Sequence, residues 1–147
     1  MKKFFLTSFL ALLSLCTYAY DFKAGGIYYN RTGDNTVEVI NNANGKYAGN
    51  IVIPNKVIDD SKAYSVTSIG STAFEYCYGL TSISIPEGVT SIGRHAFSRC
   101  SGLTSINIPE RVTSIEAQTF LGCSSLTSIN IPEGVTSIGK NAFQNCI

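Results

Sequence analysis

The chain is short of the residues that most catalytic and metal sites require. It has one histidine, His95, and no two cysteines separated by two residues. Structural zinc sites are built from four cysteine or histidine ligands, usually with such a pair. P-loop, GxGxxG, HExxH and nucleophile-elbow motifs are also missing. We therefore predict that the protein is not an enzyme and has no catalytic residues, no cofactor and no metal site.

Apolar stretches long enough to span a membrane are missing too. The stretch from Phe4 to Leu15 has about twelve residues, whereas a membrane-spanning helix needs about 20. Two lysines precede it and small or polar residues follow, which is typical of a secretory signal peptide over residues 1–19. A lipoprotein signal with Cys16 acylated is the alternative, although such signals favour a small residue before the cysteine. We expect a secreted or cell-surface protein with no transmembrane segment in the mature chain.

The chain also lacks an excess of charge of either sign. Without the two lysines of the signal peptide, nine basic residues face ten acidic ones, which leaves a net charge of −1. Nucleic acids and anionic membranes attract proteins through a basic surface. We therefore expect no nucleic-acid partner.

Repetition is what the sequence has in abundance. The phrases LTSISIPEGVTSIGRHAFSRC, LTSINIPERVTSIEAQTFLGC and LTSINIPEGVTSIGKNAFQNC follow one another with a period of 23 residues. A period of this size, held without insertion, predicts a solenoid in which each copy forms one coil. The residues that recur with this period include Phe74, Phe97, Phe120 and Phe143, and Cys77, Cys100, Cys123 and Cys146.

One copy already outlines the path of a coil. Alternation of isoleucine and serine over 82–85 predicts a strand with Ile83 pointing inward and its serine neighbours outward. Pro86 ends this strand, because proline cannot donate to a ladder. Residues 89–92 then form a return side, Gly93 permits a bend, and residues 95–100 are expected to form a short helical or 3₁₀ turn that Phe97 fills.

The cysteines can be interpreted in two ways. Export permits disulfides. Stacked coils, however, hold equivalent residues about 4.8 Å apart, whereas the Cβ atoms of a disulfide lie about 3.8 Å apart. The spacing therefore favours buried free thiols over bridges.

The N-terminal part follows the repeat more loosely. Ile51 to Pro54 matches the strand and Val66 to Gly70 the return side, with an insertion around 59–64 that predicts a loop or small hairpin. Residues 26–30 and 36–40 flank a turn and predict a β-hairpin. We assign residues 20–50 to an N-terminal β cap and residues 51–147 to a solenoid of about four coils, the last incomplete. Tyr28, Tyr29 and Tyr47 favour packing against the first coil, with a ligand patch as the alternative.

The repeated phrase closely resembles the 23-residue leucine-rich repeats of the BspA-like surface proteins, over residues 51–147. The resemblance implies a right-handed stack of coils with parallel strands. It also implies a secreted or surface-held protein in a family whose members include adhesins that bind host matrix proteins, other cells or other bacteria. Because the shared motif consists of core residues, it implies no catalytic group.

We expect the outward residues of the strands to form a protein-binding face. They are small and polar, and the face is small, about 300 Å² against about 800 Å² for each partner of a standard interface. A second hypothesis is an assembly role, in which the last coil offers an unpaired edge to another chain end to end. The row Glu87, Glu110 and Glu133 suggests solvated corners, with a calcium ladder as the alternative. The candidate face comprises Ser82, Ser84, Ser105, Asn107, Ser128 and Asn130.

Overall fold

A computed structural model of the protein describes residues 19–42 and 44–146. The predicted signal peptide, with Cys16, lies outside the described residues except for Ala19. Strands and turns make up the described chain, and no helix occurs in it. The strands are β1 Phe22–Ala24, β2 Ile27–Arg31, β3 Thr36–Ile40, β4 Gly49–Val52, β5 Lys56–Asp59, β6 Lys62–Ile69, β7 Leu80–Ser84, β8 Ser91–Ile92, β9 Ser105–Asn107, β10 Ser114–Ile115, β11 Ser128–Asn130 and β12 Ser137–Ile138.

The strands and turns form four successive coils of a solenoid, as the 23-residue period predicts. Coil 1 covers residues 49–77, coil 2 residues 80–100, coil 3 residues 103–123 and coil 4 residues 126–146. Each coil contributes one strand to the strand face (β4, β7, β9, β11) and one to the return side (β6, β8, β10, β12). Parallel ladders join β4 to β7, β9 to β11, β6 to β8 and β10 to β12.

The third side of each coil, the turn side, differs from prediction. The expected helical or 3₁₀ turn at 95–100 is wrong, since the segment is a run of β-turns. The amides of Ala96, Ser98 and Cys100 donate back three residues within the coil, and the amides between them donate forward to coil 3. A helix would direct every amide along its own chain. Sharing amides with the next coil therefore excludes a helix here.

Left-handed backbone recurs on this side. Its two positions in each coil are occupied by Thr72 and Tyr76, His95 and Arg99, Gln118 and Gly122, and Asn141 and Asn145, all with φ between 56° and 71°. Glycine and asparagine adopt this conformation readily, whereas other residues lose about 1–2 kcal/mol. The repeat therefore contains local strain that packing between coils must offset.

The N-terminal cap joins the solenoid through its third strand. β1, β2 and β3 pair antiparallel, and β3 then pairs in parallel with β6 of coil 1. β3 thus takes the place that the return strand of a preceding coil would have. The insertion forms a hairpin in which Asp60 and Ser61 have positive φ, as a two-residue type I′ turn requires.

The core is a column of aromatic rings along the solenoid. Phe74, Phe97 and Phe120 are fully buried. Their ring centroids lie 5.2 Å and 5.5 Å apart and their planes differ by 4°. Tyr47 of the cap continues the column at 4.8 Å from Phe74.

The cap tyrosines are packing residues, as predicted, and the alternative of a ligand patch is wrong. Tyr28, Tyr29 and Tyr47 are at most 4% exposed. The Tyr47 hydroxyl accepts a hydrogen bond from the backbone amide of Tyr28 and donates one to the carbonyl of Ile40.

The junction between coils 2 and 3 has fewer backbone hydrogen bonds than the junctions on either side of it. β7 and β9 belong to different sheets, as do β8 and β10. Among the described residues, the backbone–backbone hydrogen bonds that join these two coils all lie on the turn side. The backbone bonds there run from His95, Phe97 and Arg99 to residues of coil 3.

Glu116 explains the gap on the return side. Its counterparts Gly93 and Gly139 each donate their amide to an isoleucine carbonyl of the preceding coil, at 2.9 and 2.7 Å. A Cβ atom on Gly93 would lie 2.6 Å from the backbone nitrogen of Ser71, and one on Gly139 only 2.4 Å from that of Ala117. Glu116 has a Cβ atom at this position. The close approach is therefore impossible, and the equivalent bond to coil 2 does not form.

We predict that the amide of Glu116 exchanges with deuterium faster than the amides of Gly93 and Gly139. Each of those two is protected by a ladder bond, which contributes about 1 kcal/mol. Replacing Glu116→Gly should let the coils approach and slow exchange at residue 116 about fivefold. Hydrogen exchange followed by NMR measures both rates.

The matched control is Glu133→Gly, the same change at an exposed corner. It should leave exchange at residue 116 unaltered. Equal protection of residues 93, 116 and 139 in the unmodified protein would contradict this explanation.

Candidate binding surface

The structure brings the predicted face residues together in two rows across the strand face. Ser128 pairs directly with Ser105, and Asn130 with Asn107. Ser82 and Ser84 lie on β7 of the preceding coil. The alternating isoleucines point inward, since Ile83 and Ile106 are at most 8% exposed. All six predicted residues are exposed except Ser82, which is partly buried.

Sequence reasoning missed two members of these rows. Asn50 and Val52 of β4 pair with Ser82 and Ser84, so β4 is the fourth strand of the strand face. The Oδ1 atom of Asn50 accepts hydrogen bonds from the hydroxyls of Thr81 and Ser82 at 2.9 and 2.8 Å. The match of residues 51–54 to the repeat already indicated that Val52 belongs to these rows, because it aligns Val52 with Ser84 of coil 2.

An apolar cleft lies at the cap end of the strand face. Val52 is 71% exposed and Ile58 is 69% exposed, the largest values among the large apolar side chains described. Both line a cleft of about 410 Å³ together with Ile27, Pro54 and Lys56. The face therefore passes from uncharged polar strips to an apolar end.

The acidic row lies at the corner where the strands end. The carboxylate of Glu87 accepts the backbone amide of Glu110 at 3.4 Å, so this side chain bridges two coils. Within residues 19–42 and 44–146, no three histidine, cysteine or acidic residues are placed to hold a metal ion. The alternative of a calcium ladder has no support from this arrangement.

The repeated cysteines are free thiols, as the spacing favours. The Sγ atoms of Cys100 and Cys123 each donate to the carbonyl of a phenylalanine 26 residues earlier, at 3.1 Å. Burial raises the pKa of the Cys123 thiol to about 12, and burial also raises the pKa of Cys100. Both thiols are therefore protonated near neutral pH and unsuited to nucleophilic chemistry.

His95 has no catalytic neighbourhood. Its Nδ1 atom lies 3.8 Å from a carboxylate oxygen of Glu75 and has no hydrogen-bond partner in the described structure. Its backbone occupies one of the left-handed positions, with a φ of 56°. His95 thus occupies a turn position whose equivalents in coils 3 and 4 are Gln118 and Asn141.

Comparison with known proteins assigns the family. A model of the BspA type leucine rich repeat region matches residues 48–147, in six copies. The chain belongs to the BspA-type leucine-rich repeat family. No curated protein matches the chain significantly.

Three solved structures of leucine-rich repeat proteins resemble this BspA-type chain. One from Bacteroides ovatus is 40% identical over 86% of the chain, with a TM-score of 0.78. One from Bacteroides capillosus is 31% identical over 80% of the chain and 86% of its own, with a TM-score of 0.69. The Treponema pallidum (T. pallidum) protein TpLRR is 27% identical over 86% of the chain and 67% of its own, with a TM-score of 0.70.

The BspA-type chain spans about a third (33%) of the length of the Bacteroides ovatus protein. Within the part of the chain that the structure describes, no helix has the length and apolar character that crossing a membrane requires.

We predict that Cys100 and Cys123 react with a thiol reagent at pH 8 at least about a hundredfold more slowly in the native protein than in urea. Their folded pKa lies above the ordinary value of 9.0, so the thiolate is scarce as well as buried. Because the folded pKa is raised, the contribution of the buried, protonated thiols to the folding stability is complete below about pH 9. This contribution is lost as the pH rises toward 12. Partly buried Cys146 is the internal control and should react first. Rapid native labelling of Cys123, or bridges in the intact mass, would contradict the assignment.

Proposed function

We propose that the protein is a secreted or cell-surface binding module whose strand face holds a protein partner, in the manner of an adhesin. The observation that carries this proposal is the composition of the face. Four strands present uncharged serine and asparagine rows, and exposed Val52 and Ile58 adjoin them at one end. Interfaces combine apolar anchors in a cleft with a surrounding polar surface.

The polar rows are suited to an extended partner segment. Serine and asparagine are short, so a partner backbone can approach closely and exchange hydrogen bonds with hydroxyl and amide groups. The Nδ2 group of Asn50 makes no hydrogen bond in the described structure and offers two donors. An aliphatic side chain of the partner would occupy the cleft beside Val52. The proposed partner is a host matrix protein or another cell-surface protein, which agrees with the family.

We predict that the double change Ser105→Arg and Asn107→Arg abolishes capture of matrix proteins or of other microbial cells. Both side chains are exposed, so the bulk and charge block the face without disturbing the core. Thr113→Arg on the exposed return side is the matched control and should bind normally. Pull-down with unchanged circular-dichroism spectra measures the effect. If Thr113→Arg alone abolishes capture, the strand face is the wrong surface.

A second candidate function is assembly with other repeat coils. Ile138 of coil 4 is 56% exposed, whereas its counterparts Ile92 and Ile115 are 1% exposed. β11 and β12 are also edge strands in the described structure. Here a further coil would stack, supplied either by the same chain or by another copy.

We predict concentration-dependent association of the purified protein at micromolar levels, measured by light scattering. Ile138→Lys should suppress it, because a buried ammonium at the contact is costly. Thr136→Lys, at an exposed position two residues earlier, is the matched control and should associate normally. A strict monomer at high concentration would exclude the assembly role and leave the binding module.

A further inference from the structure

A cluster of aromatic and cationic side chains lies on the turn side, away from the strand face. Tyr76 is 39% exposed and Tyr78 is 58% exposed. Their ring centroids are 6.1 Å apart. Lys46 and Arg99 both lie over the Tyr76 ring, at 5.7 and 5.6 Å from its centroid.

Neither tyrosine is required by the repeat. Tyr76 occupies a left-handed position, with a φ of 60°, that coils 3 and 4 fill with Gly122 and Asn145. A bulky side chain is strained at such a position. Tyr78 has a serine, Ser101, as its counterpart in coil 2. Exposed aromatic side chains at strained or nonessential positions indicate a surface role.

A shallow depression adjoins the cluster. Its volume is about 250 Å³, and it is lined by Tyr78, Arg99, Ser101, Leu121, Gly122 and Asn145. Sites for drug-sized ligands have about 300–1,000 Å³, so this depression fits a single ring-sized unit.

The charge of Arg99, which lines the depression, has no carboxylate partner among the described residues. Among the described residues, the ion pairs join Arg31 to Asp21 and Asp59, and His95 to Glu75. None of these pairs includes Arg99, and the ammonium of nearby Lys46 donates to the backbone carbonyl of Glu75 at 2.8 Å. A guanidinium that also borders a depression is suited to bind a ligand carboxylate through two parallel hydrogen bonds.

We propose that this depression binds one carboxylate-bearing sugar unit of a glycan. The apolar face of the sugar ring stacks on Tyr78, its carboxylate pairs with Arg99, and its hydroxyls meet the side chains of Ser101 and Asn145. The same groups suit a saturated, hydroxylated ring better than a peptide. A peptide would need backbone partners along an extended groove, which the strand face offers and this depression does not.

The test is titration of the purified protein, followed by NMR, with a glucuronic-acid disaccharide at moderate salt. We expect shifts confined to residues around Tyr78 and Arg99. The same disaccharide with its carboxyl group reduced to the alcohol should bind about tenfold more weakly, since the charged hydrogen bonds are lost. Arg99→Gln should remove this difference, Tyr78→Ala should abolish binding, and Tyr78→Phe should retain it.

The matched control is Arg94→Gln, which removes a cation from the same side of the same coil outside the depression. It should leave the affinity unchanged. Three outcomes overturn the proposal: no binding up to about 10 mM, equal weakening by Arg94→Gln and Arg99→Gln, or an acidic peptide that binds more tightly than the disaccharide. Because these variants lie off the strand face, failure here leaves the capture experiment on Ser105 and Asn107 unaffected.

Discussion

Stacking of equivalent residues at the spacing of β-strands is the constraint on which the structure depends. It is most evident in the aromatic column, where the centroids from Tyr47 to Phe143 follow one another at 4.8 to 5.5 Å. A residue in this column cannot change size without affecting two neighbours. Three of the repeated cysteines obey the same rule, since the thiols of Cys100, Cys123 and Cys146 each donate to a carbonyl of the coil before. The core therefore repeats closely, and only the outer positions are free to differ.

The outer positions are where function can be placed, and the three sides differ in chemistry. The strand face presents uncharged serine and asparagine, ending in the apolar pair Val52 and Ile58. The corner that follows carries glutamates. The turn side carries Tyr76, Tyr78 and Arg99 instead of the small residues that its backbone favours. The two proposed surfaces, one for an extended protein segment and one for a compact charged ring, therefore lie on different sides of one small solenoid.

The 23-residue period predicted the coils, the inward isoleucines, the phenylalanine column and the free thiols, because each follows from stacking like on like. It did not predict features that depend on two distant segments. The parallel pairing of β3 with β6 is one, since nothing in residues 36–40 resembles the repeat. The turn side is another, where alternate backbone amides donate within their own coil and to the next coil. The sequence of a single copy cannot reveal which amides bond to the next coil. Val52 was missed because coil 1 departs from the repeated phrase there, with a valine where coil 2 has Ser84.

Glu116 has a mechanical consequence for a solenoid under tension. A pull along the solenoid axis loads three rows of backbone hydrogen bonds at the other junctions between coils, but only the turn-side row between coils 2 and 3. Because that row lies at one side of the solenoid axis, the force is not balanced across the junction. Coils 1 and 2 are therefore expected to tilt away from coils 3 and 4 before they separate. Glu116 in place of glycine, together with the absence of pairing between β7 and β9, thus makes this junction the one expected to yield first under tension.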